Sequence, residues 1–111
     1  MMPELLVEMR DGNKLTLELR VPPTLSYFEG HFPGFPILPG VVQIDWAVRL
    51  ARRHFQGLVD SYGVEAFKCR APVLPGTELR LVLDCDAGRS KLRFSYADNQ
   101  RAVSSGTVLF R

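Results

Sequence analysis

Residues 29–55 read EGHFPGFPILPGVVQIDWAVRLARRHF. The first half sets His31 among three prolines and three glycines, and the second half, from Val41 to Phe55, contains neither residue type. Within that second half Ile44, Ala47, Val48, Ala51 and Phe55 recur at helical spacing and form one apolar face. The spacing predicts a helix over 41–55, preceded by Gly40 and closed by Gly57. Upstream, Pro33, Pro36 and Pro39 stand at every third position and each fixes φ, so the loop that carries His31 is rigid.

A lone helix with a strong apolar face needs a sheet to cover it, and the flanking sequence supplies one. ELLVEMRDGNKLTLELRV alternates apolar and polar residues on both sides of Asp11-Gly12-Asn13, which is hairpin turn chemistry. Downstream, VEAFKCRAPV, TELRLVLDCD, KLRFSYAD and AVSSGTVLFR read as strands parted by LPG, AGRS and DNQR. Two strands, one helix and at least four more strands predict an α+β domain with an antiparallel sheet. Typical domains hold roughly 100–200 residues, so residues 1–111 are read as one domain, without repeats or linkers.

A hydrophobic fraction of 46% with 23% charged residues is that of a soluble globular protein, neither disordered nor membrane-spanning. MMPELLVEMRDG places acidic residues where a signal peptide carries basic ones, which points to the cytoplasm. Fourteen basic against 12 acidic residues leave a net charge of +2, too balanced to mark a nucleic-acid binder. Arg49, Arg52 and Arg53 gather on the helix, either as a patch for an acidic partner or as a solvated face. Cys69 and Cys85 lack metal-ligand spacing and read as reduced and structural.

His31, Gly40 and Asp45 each have two readings. His31 either caps backbone groups in its loop or acts as a base, since its ordinary pKa of about 6.5 leaves it mostly neutral in the cell. Gly40 is either a permissive approach to the helix or, with Val41, a source of first-turn N–H groups able to hold a carbonyl oxygen that gains negative charge. Asp45 either pairs with Arg49 at i, i+4 or donates a proton to a departing hydroxyl. A base, an acid and oxyanion donors together suit removal of water from a β-hydroxy carbonyl compound.

GHFPGFPILPGVVQID resembles the active-site segment of the β-hydroxyacyl-acyl carrier protein dehydratases of fatty acid synthesis, which have the hot-dog fold. The ordered motif His-Phe-Pro-Gly, Pro, Pro-Gly and then an acid is long enough to be specific. FKCRAPVLPGTELRLVLD is more weakly similar, through its phenylalanine, basic residue and Pro-Gly turn. The Asp-Trp pair also resembles the dehydratase-like proteins of aryl polyene biosynthesis. The resemblance implies a curved antiparallel sheet wrapped around the helix. It implies His31 as the base, Asp45 as the acid, Gly40 as the amide that holds the thioester oxygen, and Ile37 as the carbonyl that steadies the histidine ring. It also implies a homodimer or higher homo-oligomer with shared sites and an acyl carrier protein as partner. No metal or dissociable cofactor is implied, nor contact with nucleic acid or membrane. Phe28, Phe35 and Trp46 are candidates to line an acyl pocket, or else ordinary core.

Arg49 departs from the family, which has glutamine four residues after the acid. A cation there favours ionised Asp45 and opposes an acid role. Two further classes therefore stay open: a hot-dog thioesterase and a non-catalytic carrier-binding partner subunit.

Overall fold

The computed structural model describes residues 2–23 and 37–111. Gly12 takes φ +61° and joins strand β1 (Glu4–Asp11) to β2 (Lys14–Arg20), with Asp11 opposite Lys14, as the turn chemistry predicts. Helix α1 (Gly40–Arg52) follows, then β3 (Ser61–Cys69), β4 (Glu78–Asp86), β5 (Lys91–Asp98) and β6 (Arg101–Phe110). The strands form one antiparallel sheet in the order β1-β2-β4-β5-β6-β3. This is the α+β architecture expected from the sequence, with its helix packed on β4 and β6.

Alternation decides which face the helix covers. Leu15, Leu17 and Leu19 of β2, Leu79, Leu81 and Leu83 of β4, and Leu92, Phe94 and Tyr96 of β5 all point to one side and are buried. Trp46, Ala47, Leu50 and Ala51 of α1 meet them in a single apolar core. Full burial of each leucine is worth about 1.5–3 kcal/mol, so the sheet and helix hold one another in place.

The helix is shorter than its apolar spacing predicts. It ends at Arg52, where Arg53 N–H bonds Leu50 O and the amides of His54 and Phe55 both bond Ala51 O. Phe55 thus remains buried on the apolar face although it lies beyond the helix. Gly57, at φ +84°, belongs to the connection that follows and does not close the helix.

Strand β3 begins three residues before the sequence-predicted segment and is exposed along nearly its whole length. It is an edge strand, paired with β6 among the described residues. A bulge between Glu65 and Lys68 puts Ala66 at φ +55°, a left-handed conformation that costs about 1–2 kcal/mol for a residue with a Cβ. Bulges re-aim side chains, and here the neighbouring Phe67 reaches the start of α1. Among the described residues no helix is long and apolar enough to cross a membrane.

Candidate active site

The start of α1 is fastened from two sides. Leu38 N–H donates to Val73 O at 2.9 Å, tying the approach to the helix onto the segment after β3. From below, Gln43, only 1% exposed, donates through Nε2 to Leu38 O at 3.3 Å. Its Oε1 accepts from Ser104 Oγ of β6 at 2.6 Å, and its main-chain carbonyl accepts from the Tyr96 hydroxyl of β5 at 2.6 Å. An unsatisfied buried polar group costs about 1–3 kcal/mol, so this network is specific about geometry. Burial, reinforced by the negative charge of Asp45, pushes the Tyr96 phenol well above its ordinary value and keeps it a neutral donor.

Gly40 is the first helical residue, with Pro39 as N-cap. The helical ladder opens with the amides of Val42 and Gln43 on Pro39 O at 3.1 and 3.2 Å, so the amides of Gly40 and Val41 stand ahead of it. The Phe67 ring covers this point: a Cβ on Gly40 would lie 3.0 Å from Phe67 Cζ and 3.2 Å from Cε2. The Phe67 and Phe94 ring centres are 6.3 Å apart, and Phe94 meets Tyr96 edge-on at 6.1 Å. A line of rings therefore runs from the helix start into the core. Gly106 makes room for it, because a Cβ there would meet Phe94 at 3.0 Å.

Asp45 follows one turn after Val41. Its Oδ2 is 2.9 Å from Arg49 Nε, and both side chains are about half exposed, so the i, i+4 pair anticipated from the sequence forms. Asp45 shares a cavity of about 260 Å³ with Val41, Ile44, Val48 and Arg52, and Ser61, Gly63 and Val64 of β3 make the opposite wall. Val41, 73% exposed, stands at its edge.

The structure thus aligns Gly40, Val41, Asp45 and Arg49 along α1, with Ile37 in the segment leading to it. Trp46 turns the other way and is wholly enclosed in the core. His31 and Phe35, like Phe28, lie outside the described residues. Of the three clustered arginines, Arg49 is engaged by Asp45 and Arg52 Nε donates to Leu58 O at 2.6 Å, while Arg53 is exposed. Cys85 is buried and Cys69 exposed, both as free thiols. Among the described residues no three histidine, cysteine, aspartate or glutamate side chains are grouped to hold a metal ion.

Sequence reasoning assigned no role to Gln43, Tyr96, Ser104 or Phe67. Phe67 did fall in a segment of weak family likeness, whereas a glutamine inside an amphipathic helix reads as surface until the strands beneath it are known.

The family model described as ApeI-like, ApeI dehydratase, matches residues 7–107. The solved dehydratase heterocomplex ApeI:P from Xenorhabdus doucetiae contains a chain that superposes with a TM-score of 0.91 at 32% identity, covering 98% of this chain and 97% of that one. An uncharacterized protein from Erwinia carotovora subsp. atroseptica superposes with a TM-score of 0.85 at 38% identity, covering 98% and 95%. The 3-hydroxyacyl-[acyl-carrier-protein] dehydratase FabZ of Herpetosiphon aurantiacus is 29% identical over 111 residues, 94% of this chain and 77% of its own length.

Proposed function

Because the chain belongs to the ApeI-like dehydratase family of hot-dog proteins, we propose that it converts 3-hydroxyacyl thioesters on acyl carrier protein to trans-2-enoyl thioesters. The observation that carries this reading is the helix start itself: the Gly40 amide, roofed by Phe67, with Asp45 farther along the same helix. In the reaction His31 removes the α-proton, and the electrons move into the thioester carbonyl. Its oxygen gains negative charge, which the Gly40 amide and the positive end of the helix stabilise. The electrons then return to form the α,β double bond as the β-carbon–oxygen bond breaks, and Asp45 protonates the departing hydroxyl to give water. The thioester itself acidifies the α-carbon, so the reaction draws on no metal or dissociable cofactor.

The cavity beside Asp45 opens along the β3 edge, where Tyr62 and Val64 are exposed apolar residues. This supports a homodimer in which two such edges meet and each site draws on both subunits. A growing aryl polyene chain is the substrate we favour, since the ApeI-like family model spans most of the chain.

The 2.9 Å Asp45–Arg49 pair favours a second reading. A carboxylate engaged by a guanidinium is not placed to protonate a leaving hydroxyl, and the chain would then serve as the carrier-binding subunit beside a catalytic partner. Mass spectrometry of a 3-hydroxyacyl carrier protein incubated with this chain alone separates the two. Loss of one water that vanishes in His31→Ala and Asp45→Asn, and is retained or faster in Arg49→Gln, establishes the dehydratase. Carrier binding without loss of water establishes the partner subunit, and release of free acid would indicate a thioesterase.

A further inference from the structure

Ion pairing on the outer face of the sheet is uneven, and the unpaired cations gather in one place. Arg20 pairs with Glu4 and Glu78, Arg80 with Glu18, and Lys91 with Glu65, at 2.7–3.4 Å. Among the described residues Lys14, Lys68, Arg70 and Arg93 form no such pair, and all four line one groove of about 460 Å³. Lys14 and Arg93 alternate with the buried Leu15, Leu92 and Phe94, which places the groove on the side of the sheet away from α1.

Strand register puts hydroxyls between the cations. Thr107 lies opposite Arg93, and Ser105 lies opposite both Ser95 and Lys68. On the other side Asp84, the carboxylate of the groove, stands between Lys14 and Arg93. At about 4.8 Å per strand, Lys14 and Arg93 are based roughly 10 Å apart. The groove keeps an excess of positive charge that nothing within the described chain offsets, and its concave walls focus that field.

We propose that this groove binds a small phosphate-bearing ligand with two linked phosphates. A guanidinium fork, ammonium groups and hydroxyl donors match phosphate oxygens. The volume suits a small molecule, and two phosphates are needed to bridge cations so spaced. On the surrounding face Arg80 and Lys91 are already neutralised by Glu18 and Glu65 and offer an extended acidic protein surface no net attraction, whereas a compact anion seated within meets only the unpaired cations.

The test is calorimetric titration and thermal melting of the full chain in its native oligomer with inorganic pyrophosphate and, separately, ADP. Binding weakened about tenfold or more by Arg93→Ser and by Lys68→Ser, with Arg53→Ser as an unaffected control, supports the site. Tighter ADP binding assigns a nucleotide, and equal binding assigns the bare diphosphate. Without ligand both groove variants should melt close to the parent, because neither side chain forms an ion pair among the described residues, and should still dehydrate a small thioester. Absence of binding, or binding indifferent to these variants, overturns the proposal. So does capture of an acidic apo-carrier protein through the same cations when neither phosphate compound binds.

Discussion

The guanidinium of Arg10 lies 4.6 Å from the centre of the Phe55 ring. The same side chain donates to His54 O at 2.8 Å, and His54 Nε2 stands 3.1 Å from Glu8 Oε1. Strand β1 therefore grips the chain where it leaves α1, and Arg10 satisfies a carbonyl just past the negative end of the helix.

Arg10→Ala removes a cation–π contact worth about 0.5–1 kcal/mol and a charged hydrogen bond worth about 1.5–3 kcal/mol, discounted for exposure. The expected loss is about 1–2 kcal/mol, read as a lower urea midpoint. Arg10→Lys should recover only part of it, since an ammonium lacks the planar stack.

Gln43→Met keeps the volume of the side chain and deletes its amide, which strips a donor from Leu38 O and an acceptor from Ser104 Oγ. A stability loss of about 2–4 kcal/mol is expected. Steady-state kinetics should show kcat falling with KM little changed, because the segment carrying Gly40 loses its anchor while Gln43 does not line the cavity beside Asp45. A proportional rise in KM would refute that role.

Gly40→Ala sets a methyl against the Phe67 ring. The ring is 39% exposed and can tilt, so folding stability should change by less than about 1 kcal/mol, with alanine's better helix propensity offsetting part of the strain. Turnover should fall by about tenfold or more, in keeping with disturbance of an oxyanion donor. Adding Phe67→Leu should restore part of the rate, and no recovery in the double variant would detach Phe67 from the effect.

Tyr96 makes stability fall at high pH. The folded phenol binds its proton more firmly than the unfolded one, so its contribution is complete below about pH 10, the ordinary tyrosine value. Above that the unfolded chain ionises first, and stability drops by up to about 1.4 kcal/mol per pH unit. Tyr96→Phe should cost about 1 kcal/mol at neutral pH and flatten the alkaline slope. Cys85, raised by burial and then by Asp84 and Asp86, adds a smaller decline beginning near its own ordinary value. Urea midpoints measured across the alkaline range in both proteins check the sign.

Local signals carried much of this fold. The Asp11-Gly12-Asn13 turn, the period that put Ala47, Val48 and Ala51 on one apolar face, and the i, i+4 spacing of Asp45 and Arg49 are all decided by neighbours in sequence. Phe55 misled because the apolar period continues after Arg52 while the backbone tightens into its last turn. Strand β3 misled for the opposite reason: as an edge exposed on both faces it lacks alternation, and its bulge at Ala66 answers to β6 and to Phe67's place over Gly40. Gln43 was illegible as an anchor because its partners Tyr96 and Ser104 come from strands brought beneath it by the sheet order alone.

The crossing of β3 to the far edge also shapes how the chain folds. Its described ladder partner, β6, is made only after β4 and β5, so during synthesis Tyr62, Val64 and Phe67 wait on an open edge while β2, β4 and β5 assemble. Closing the β3–β6 ladder, like the longer closure of β2 on β4, is a non-local and therefore slow step, and an unpaired strand edge leaves the nascent chain prone to aggregate meanwhile. Docking of β6 closes the β3 ladder and settles the Gly40–Phe67 contact in the same event.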